Sequence, residues 1–216
     1  MKRFSVVTAL LFFAFSQWAW AAPNDVIILG DSIFTESGEI RNHLNRTTPL
    51  NIQNYAVGGS YMDDVITQYS KARANGIPRT IIMNGGGNDI LRGAPQSCRA
   101  FDDRCIEIID TSVEKAEGLW QSMANDGVEN VIYLGYYYTK RMGAGLDKSC
   151  DYAAETTLEA CSQLTGISCA FVDTRESFKD SAGLLNWDGI HPTNRGSQLL
   201  GDLIWQTMID NGMEQY

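Results

Sequence analysis

Histidine is scarce in this chain: its 216 residues hold only His43 and His191, so any imidazole chemistry falls to one of two side chains. Basic residues are short as well, with 17 Lys and Arg against 26 Asp and Glu and a formal charge of −9. Without a Lys/Arg-dense stretch, the chain has no means of neutralising a run of phosphates, which argues against nucleic-acid partners. The five cysteines, Cys98, Cys105, Cys150, Cys161 and Cys169, show neither C-x-x-C redox spacing nor a Cys/His zinc pattern. A Gly-Lys-Ser/Thr phosphate loop, an internal repeat and a Pro/Ser-rich linker are also missing. After the N-terminus no apolar run is long enough to cross a bilayer.

What is present fits one compact domain, because 44% hydrophobic residues and 20% charged ones can build a core at this length. Lys2-Arg3 followed by the apolar run 4–15 and the small residues of Ala19-Trp20-Ala21 read as a secretory signal over residues 1–21, cleaved before Ala22. No cysteine lies there to take a lipid, so residues 22–216 are expected as a soluble exported domain, periplasmic or extracellular, without stable membrane insertion. Cleavage leaves 15 basic against 26 acidic side chains, a charge of −11. In an oxidising compartment some cysteines should pair, and Cys98 with Cys105, which bracket a short polar stretch, is the first choice. A second bond among the other three is not assignable, and an odd count leaves one unpaired.

Short unalternating apolar runs at 26–29, 52–57, 80–83, 130–134 and 168–172 suit strands covered on both faces. Helical spacing over 37–44, 62–74, 106–123, 152–164 and 196–208 alternates with them, with Gly76, Gly127 and Gly166 where helices would stop. The pattern predicts a doubly wound α/β domain with five parallel strands. The stretches 92–104 and 139–149 are expected as irregular surface loops. In such sheets ligands bind beyond the carboxyl ends of the strands.

At the first strand's end, Gly30-Asp31-Ser32-Ile33 presents a serine hydroxyl, although Ser and Asp also suit a plain turn or helix cap. Ala56-Val57-Gly58-Gly59-Ser60 follows the second strand and exposes backbone N–H groups, and Asn84-Gly85-Gly86-Gly87-Asn88-Asp89 follows the third. Near the C-terminus, Trp187-Asp188-Gly189-Ile190-His191-Pro192 sets a carboxylate three residues before a histidine. A serine nucleophile needs a base and the base an orienting acid, which His191 and Asp188 can supply. The Ser32 and Gly59 N–H groups and the Asn88 amide are candidate donors to an oxyanion. His43, in a polar helix, reads as a solvated surface residue without a role.

Together, Gly-Asp-Ser, Gly59, Gly-x-Asn-Asp around Asn88 and Asp-x-x-His resemble the four motifs of the SGNH, or GDSL-type, serine hydrolases, in the same order over residues 25–208. The context from Gly86 to Gly93 is most similar to bacterial periplasmic thioesterase/lysophospholipase-type members. The resemblance implies Ser32 as nucleophile, His191 as base, Asp188 as orienting acid, and Ser32, Gly59 and Asn88 as the oxyanion hole. It also implies a flavodoxin-like three-layer α/β/α sheet domain and no metal or cofactor. Ile33 stands where the family name has Leu, and Gly58 is a one-residue alternative to Gly59.

The expected reaction is hydrolysis of a carboxylic ester, thioester or acetylated glycan through an acyl-serine. Tyr61, Met62, Tyr136, Tyr137, Tyr138 and Trp187 fall near the motifs and are candidates for the substrate wall, or else for ordinary packing. Two competing readings are a catalytically silent glycan-binding relative and a metal-dependent phosphoesterase using Asp31, Asp188 and His191.

Overall fold

The computed structural model describes residues 25–140, 144–179 and 182–214. The expected signal segment lies outside them. Five strands, β1 (Val26–Leu29), β2 (Ile52–Asn54), β3 (Thr80–Met83), β4 (Asn130–Leu134) and β5 (Ser168–Val172), form one sheet in the order β2-β1-β3-β4-β5. Every pairing is parallel. The sheet is therefore the doubly wound one expected.

Alternation of side chains across the strands explains why the runs are apolar throughout. Val26, Ile28, Ile82, Ile132 and Val172 face one side, against Phe34 of α1 (Ser32–Thr35), Ile40 and Leu44 of α2 (Glu39–Thr47), and Leu200 and Ile204 of α8 (Asn194–Asp210). Ile27, Leu29, Ile81, Met83 and Val131 face the other side, against α3 (Met62–Arg73), α5 (Asp103–Asp126) and α6 (Ala144–Gln163). Buried aliphatic side chains of this size are each worth about 1.5–3 kcal/mol relative to exposure, so the two covered faces dominate stability.

Several elements depart from expectation. Strand β2 stops at Asn54 and not at 57, because its partner β1 ends at Leu29; only the bonds Tyr55 N–H to Ile28 C=O (2.8 Å) and Val57 N–H to Gly30 C=O (3.0 Å) continue the pairing. The stretch 92–104, expected as a loop, contains the helix α4 (Pro95–Ala100), and a π-turn (Asp89–Gly93) precedes it. Pro95 supplies a helix start and the Cys98–Cys105 disulfide fastens α4 to α5. Helix α5 begins earlier than expected because the Asp102 side chain accepts the Cys105 N–H. Helix α6 likewise begins at Ala144, inside the other expected loop. The short α7 (Arg175–Phe178) also went unforeseen.

A second disulfide, Cys161–Cys169, joins α6 to β5, and Cys150 is the free cysteine. His43 is not a solvated residue: its side chain is 14% exposed and its Nε2 lies 2.6 Å from Asp202, joining α2 to α8. No helix among the described residues is long and apolar enough to cross a membrane.

Candidate active site

Strand register fixes where the site forms. Leu29 of β1 lies opposite Met83 of β3, so Gly30 and Asn84 emerge side by side at the carboxyl edge. Gly30, at φ +142°, allows this approach: a Cβ there would lie 1.9 Å from Asn84 Oδ1. Asn84 uses that oxygen to accept the Asp31 N–H (3.0 Å) and donates from Nδ2 to Asp31 Oδ1 (3.0 Å). The same Asp31 oxygen caps α1 by accepting the Ile33 N–H. Ser32 thereby becomes the first residue of α1, where a backbone N–H has no intrahelical partner.

His191 reaches Ser32 from the other end of the chain. Its Nε2 lies 2.9 Å from Ser32 Oγ and its Nδ1 2.6 Å from Asp188 Oδ2. Asp188 Oδ1 accepts the N–H groups of Ile190 (2.9 Å) and His191 (3.0 Å), bending the turn so that the imidazole faces its own carboxylate. Burial alone would raise the Asp188 carboxyl; the His191 ring and the two N–H groups outweigh it and hold it below the ordinary value of 3.8. An ionised Asp188 only accepts, so the imidazole proton sits on Nδ1 and the Nε2 lone pair faces the Ser32 hydroxyl. Pro192 and Thr193 follow, the latter capping α8 through Oγ1 to the Gly196 N–H.

The turn after β2 is closed by a Ser60 N–H to Val57 C=O bond (3.3 Å), with Gly59 at φ +80° in its third position. That bond leaves the Gly59 N–H outside the turn. Asn88 Nδ2 donates to the Ser60 carbonyl (3.0 Å), which directs its amide towards the Gly59 turn and leaves the other amide hydrogen unused by this bond. Asp89 accepts the Met62 N–H (3.0 Å), so consecutive residues after β3 hold the loop after β2 at two points. Desolvation raises the Asp89 carboxyl, against those backbone bonds.

Gln68, missed in the sequence, and Tyr136, expected there only as part of the substrate wall, lock these loops together. Gln68 of α3, fully within the apolar stripe of Val65, Tyr69 and Ala72, accepts the Gly30 N–H (2.7 Å) and donates to both the Gly30 carbonyl (2.9 Å) and Ser60 Oγ (2.9 Å). A lone polar residue on a buried helix face was the available signal. Tyr136 donates its O–H to Asp31 Oδ2 (2.7 Å) and accepts the Gly87 N–H (3.1 Å). Burial, then the Asp31 charge, raise its phenol well above the ordinary range, so it stays a donor.

A cavity of about 410 Å³ opens on Ser32, Asn88 and His191, walled by Ile90, Leu146 and Ala153, with Arg92 and Arg99 among its exposed residues. Of the expected wall residues, Tyr136 and Tyr137 line it. Met62 does not: it is fully buried in the core under the sheet, packed beneath Gly85. Trp187 does not either, being 96% exposed beside Asp188. Tyr61 lies one layer out, its ring beneath the Arg92 guanidinium (5.4 Å), and Tyr138 is drawn to Asp151 (2.7 Å). Asp31 gives both oxygens to protein donors, and among the described residues no group of three His, Cys, Asp or Glu gathers to hold a metal ion.

The family model described as GDSL-like Lipase/Acylhydrolase matches residues 26–204. Among solved structures, TesA is 19% identical over 85% of this chain and 97% of that chain, with a TM-score of 0.64. LAE5, an alpha/beta hydrolase enzyme from the metagenome of Lake Arreo, Spain, is 21% identical over 91% of this chain and 99% of its own, with a TM-score of 0.65. A catalytic mutant of Axe2, an acetylxylan esterase from Geobacillus stearothermophilus, is 16% identical over 85% and 93%, also at 0.65. At such identities the likeness is one of fold. No curated protein matches the chain.

Proposed function

The chain belongs to the GDSL-like lipase/acylhydrolase family and is an ester-bond hydrolase; from that premise we propose that it is an exported serine esterase acting through an acyl-serine intermediate. The observation that carries the reading is the unbroken chain Ser32 Oγ, His191 Nε2, His191 Nδ1, Asp188, at 2.9 and 2.6 Å.

In this mechanism Ser32 Oγ attacks the ester carbonyl carbon while His191 Nε2 takes its proton, and Asp188 holds the imidazolium that forms. The carbonyl π electrons move to oxygen, where the Ser32 and Gly59 N–H groups and the Asn88 amide receive the oxyanion. Collapse expels the alcohol with the proton from Nε2. Water then repeats the sequence: it gives a proton to Nε2, adds to the acyl carbon, and releases the carboxylic acid as Ser32 Oγ regains its proton. The Gln68, Asn84 and Tyr136 bonds support preorganisation, since they fix the three loops that carry the donors before substrate arrives.

The substrate favoured is an acyl ester whose acid portion is apolar, because the cavity walls beside Ser32 are largely Ile33, Ile90, Leu91, Leu146 and Ala153. Export is supported by the sequence of residues 1–21 and by two disulfides in one small domain. Ser32→Ala should abolish hydrolysis of a chromogenic ester and labelling by a fluorophosphonate probe. Turnover at the native rate in that variant overturns the assignment.

A further inference from the structure

Behind the cavity that opens on Ser32 lies a second, smaller void of about 30 Å³. Four residues line both spaces: Ile90, Tyr136, Cys150 and Ala153. They make a shared wall, with the larger cavity on the Ser32 side and the void on the side of Ile109, Val113 and Phe171. We infer that this wall is an acyl-length gauge, with Cys150 and Ala153 of α6 as the specificity-determining residues that meet the end of an unbranched acyl chain.

The inference rests on the acyl-serine reading and asks which half of the ester enters the cavity. The acid half stays covalently on Ser32 between the two steps, whereas the alcohol must escape to solvent before water can attack. A largely apolar end therefore suits the retained half. Of the wall residues, Tyr136 is committed to Asp31 and Gly87, and Ile90 follows Asn88 by two positions on the π-turn. Neither can change without disturbing the oxyanion donors. Cys150 and Ala153 instead hang from α6, one turn apart on the same face. The Cys150 thiol donates to the Tyr136 carbonyl (3.2 Å), and otherwise a thiol behaves as a small hydrophobe. Removing its sulfur would join the void to the cavity. A space of about 30 Å³ has room for no more than one or two added methylenes.

The test compares kcat/KM across p-nitrophenyl esters of straight-chain acids from butyrate to myristate for the native enzyme, Cys150→Ala and Ala153→Leu. Cys150→Ala should move the optimum to a longer acid, raising the rate ratio of the next longer ester to the native optimum about tenfold, as one methylene in an apolar pocket does. Ala153→Leu, which adds bulk to the shared wall, should move it to a shorter acid by a comparable factor; Ala153→Val serves if the leucine variant does not fold. Shifts in these opposite directions support the gauge. If both folded variants take up the fluorophosphonate label yet keep the native optimum, or shift the same way, the gauge is wrong and the serine esterase stands. A native enzyme that neither labels nor cleaves any ester of the series overturns both.

Discussion

Asn88 shows how one side chain can serve two purposes that a sequence motif does not separate. Its amide has two hydrogens, and one is spent on the Ser60 carbonyl, which aims the other. On the proposed mechanism, Asn88→Ala therefore loses both an oxyanion donor and a tether between two loops. The first loss should lower kcat by roughly 10²-fold. The second should lower stability by only about 1 kcal/mol, the ordinary net worth of one hydrogen bond. Steady-state kinetics alongside denaturant melts would separate them; a kcat within a factor of three of native would assign Asn88 to the turn alone. Gln68 differs, since its three bonds reach only backbone and Ser60 and none reaches the cavity. It positions Gly30 and Ser60, and acts on the reacting atoms through them.

Among elements, α4 shapes the cavity, and a disulfide holds it. Pro95 and Arg99 of α4 line the cavity, Cys98 is bonded to Cys105 of α5, and Ser149 of α6 donates to the Cys98 carbonyl (2.7 Å). The Cys161–Cys169 bond closes a loop of nearly equal length, eight positions against seven, but joins α6 to β5 and not to α4. On loop entropy each should contribute about 2–3 kcal/mol. We expect Cys98→Ala/Cys105→Ala and Cys161→Ala/Cys169→Ala to lose similar stability, while only the first pair raises KM for long acyl esters. Equal KM changes in both would show that α4 keeps its place without the covalent link.

The sequence made the strands legible at this scale because each is apolar on both faces, a pattern that helices on either side require. The Ser32, Gly59 and Asn88 motifs were legible for a related reason: the parallel topology returns every strand to the same edge, so chemistry collects after apolar runs; Asp188 and His191, which lie beyond α7, were legible only from their own spacing. Helix α4 was not legible. Its residues Pro95–Ala100 carry one buried side chain, Cys98, and they become helical through a crosslink and through packing on α5 and α6, not through periodicity. The cavity wall was misread for Met62 and Trp187 because closeness to a motif in the chain says nothing about which side of the sheet a residue takes. Met62 opens α3 with its side chain turned under β3, and Trp187 sits at the tip of a turn.

For the whole molecule, the loss of stability in acid follows from the carboxylates held below their ordinary values. The Arg46 and Gln198 bonds lower Glu39 from 4.5; the Arg73 and Tyr69 bonds lower Asp126 from 3.8; the Arg175 bond lowers Asp173 from 3.8. A carboxyl depressed on folding stabilises the protein above its unfolded value, and the benefit is lost as pH falls through the folded value. Asp89, which burial raises, works in the opposite sense. Melting temperature should thus hold level through the neutral range and fall once pH drops below about 4. Because Glu39 and Asp126 lie at or near the surface, the fall should be gradual and softened by salt.

The position of Cys169 has a consequence for assembly. Strand β5 is an outer strand of the sheet, with one side of its backbone unpaired, and such strands recruit the strands of other chains. The Cys161–Cys169 bond ties this strand to α6 and so limits how far it can peel away. Without that bond, β5 is held to α6 by packing and the short turn between them alone. The bond should therefore lower the tendency of β5 to exchange between molecules.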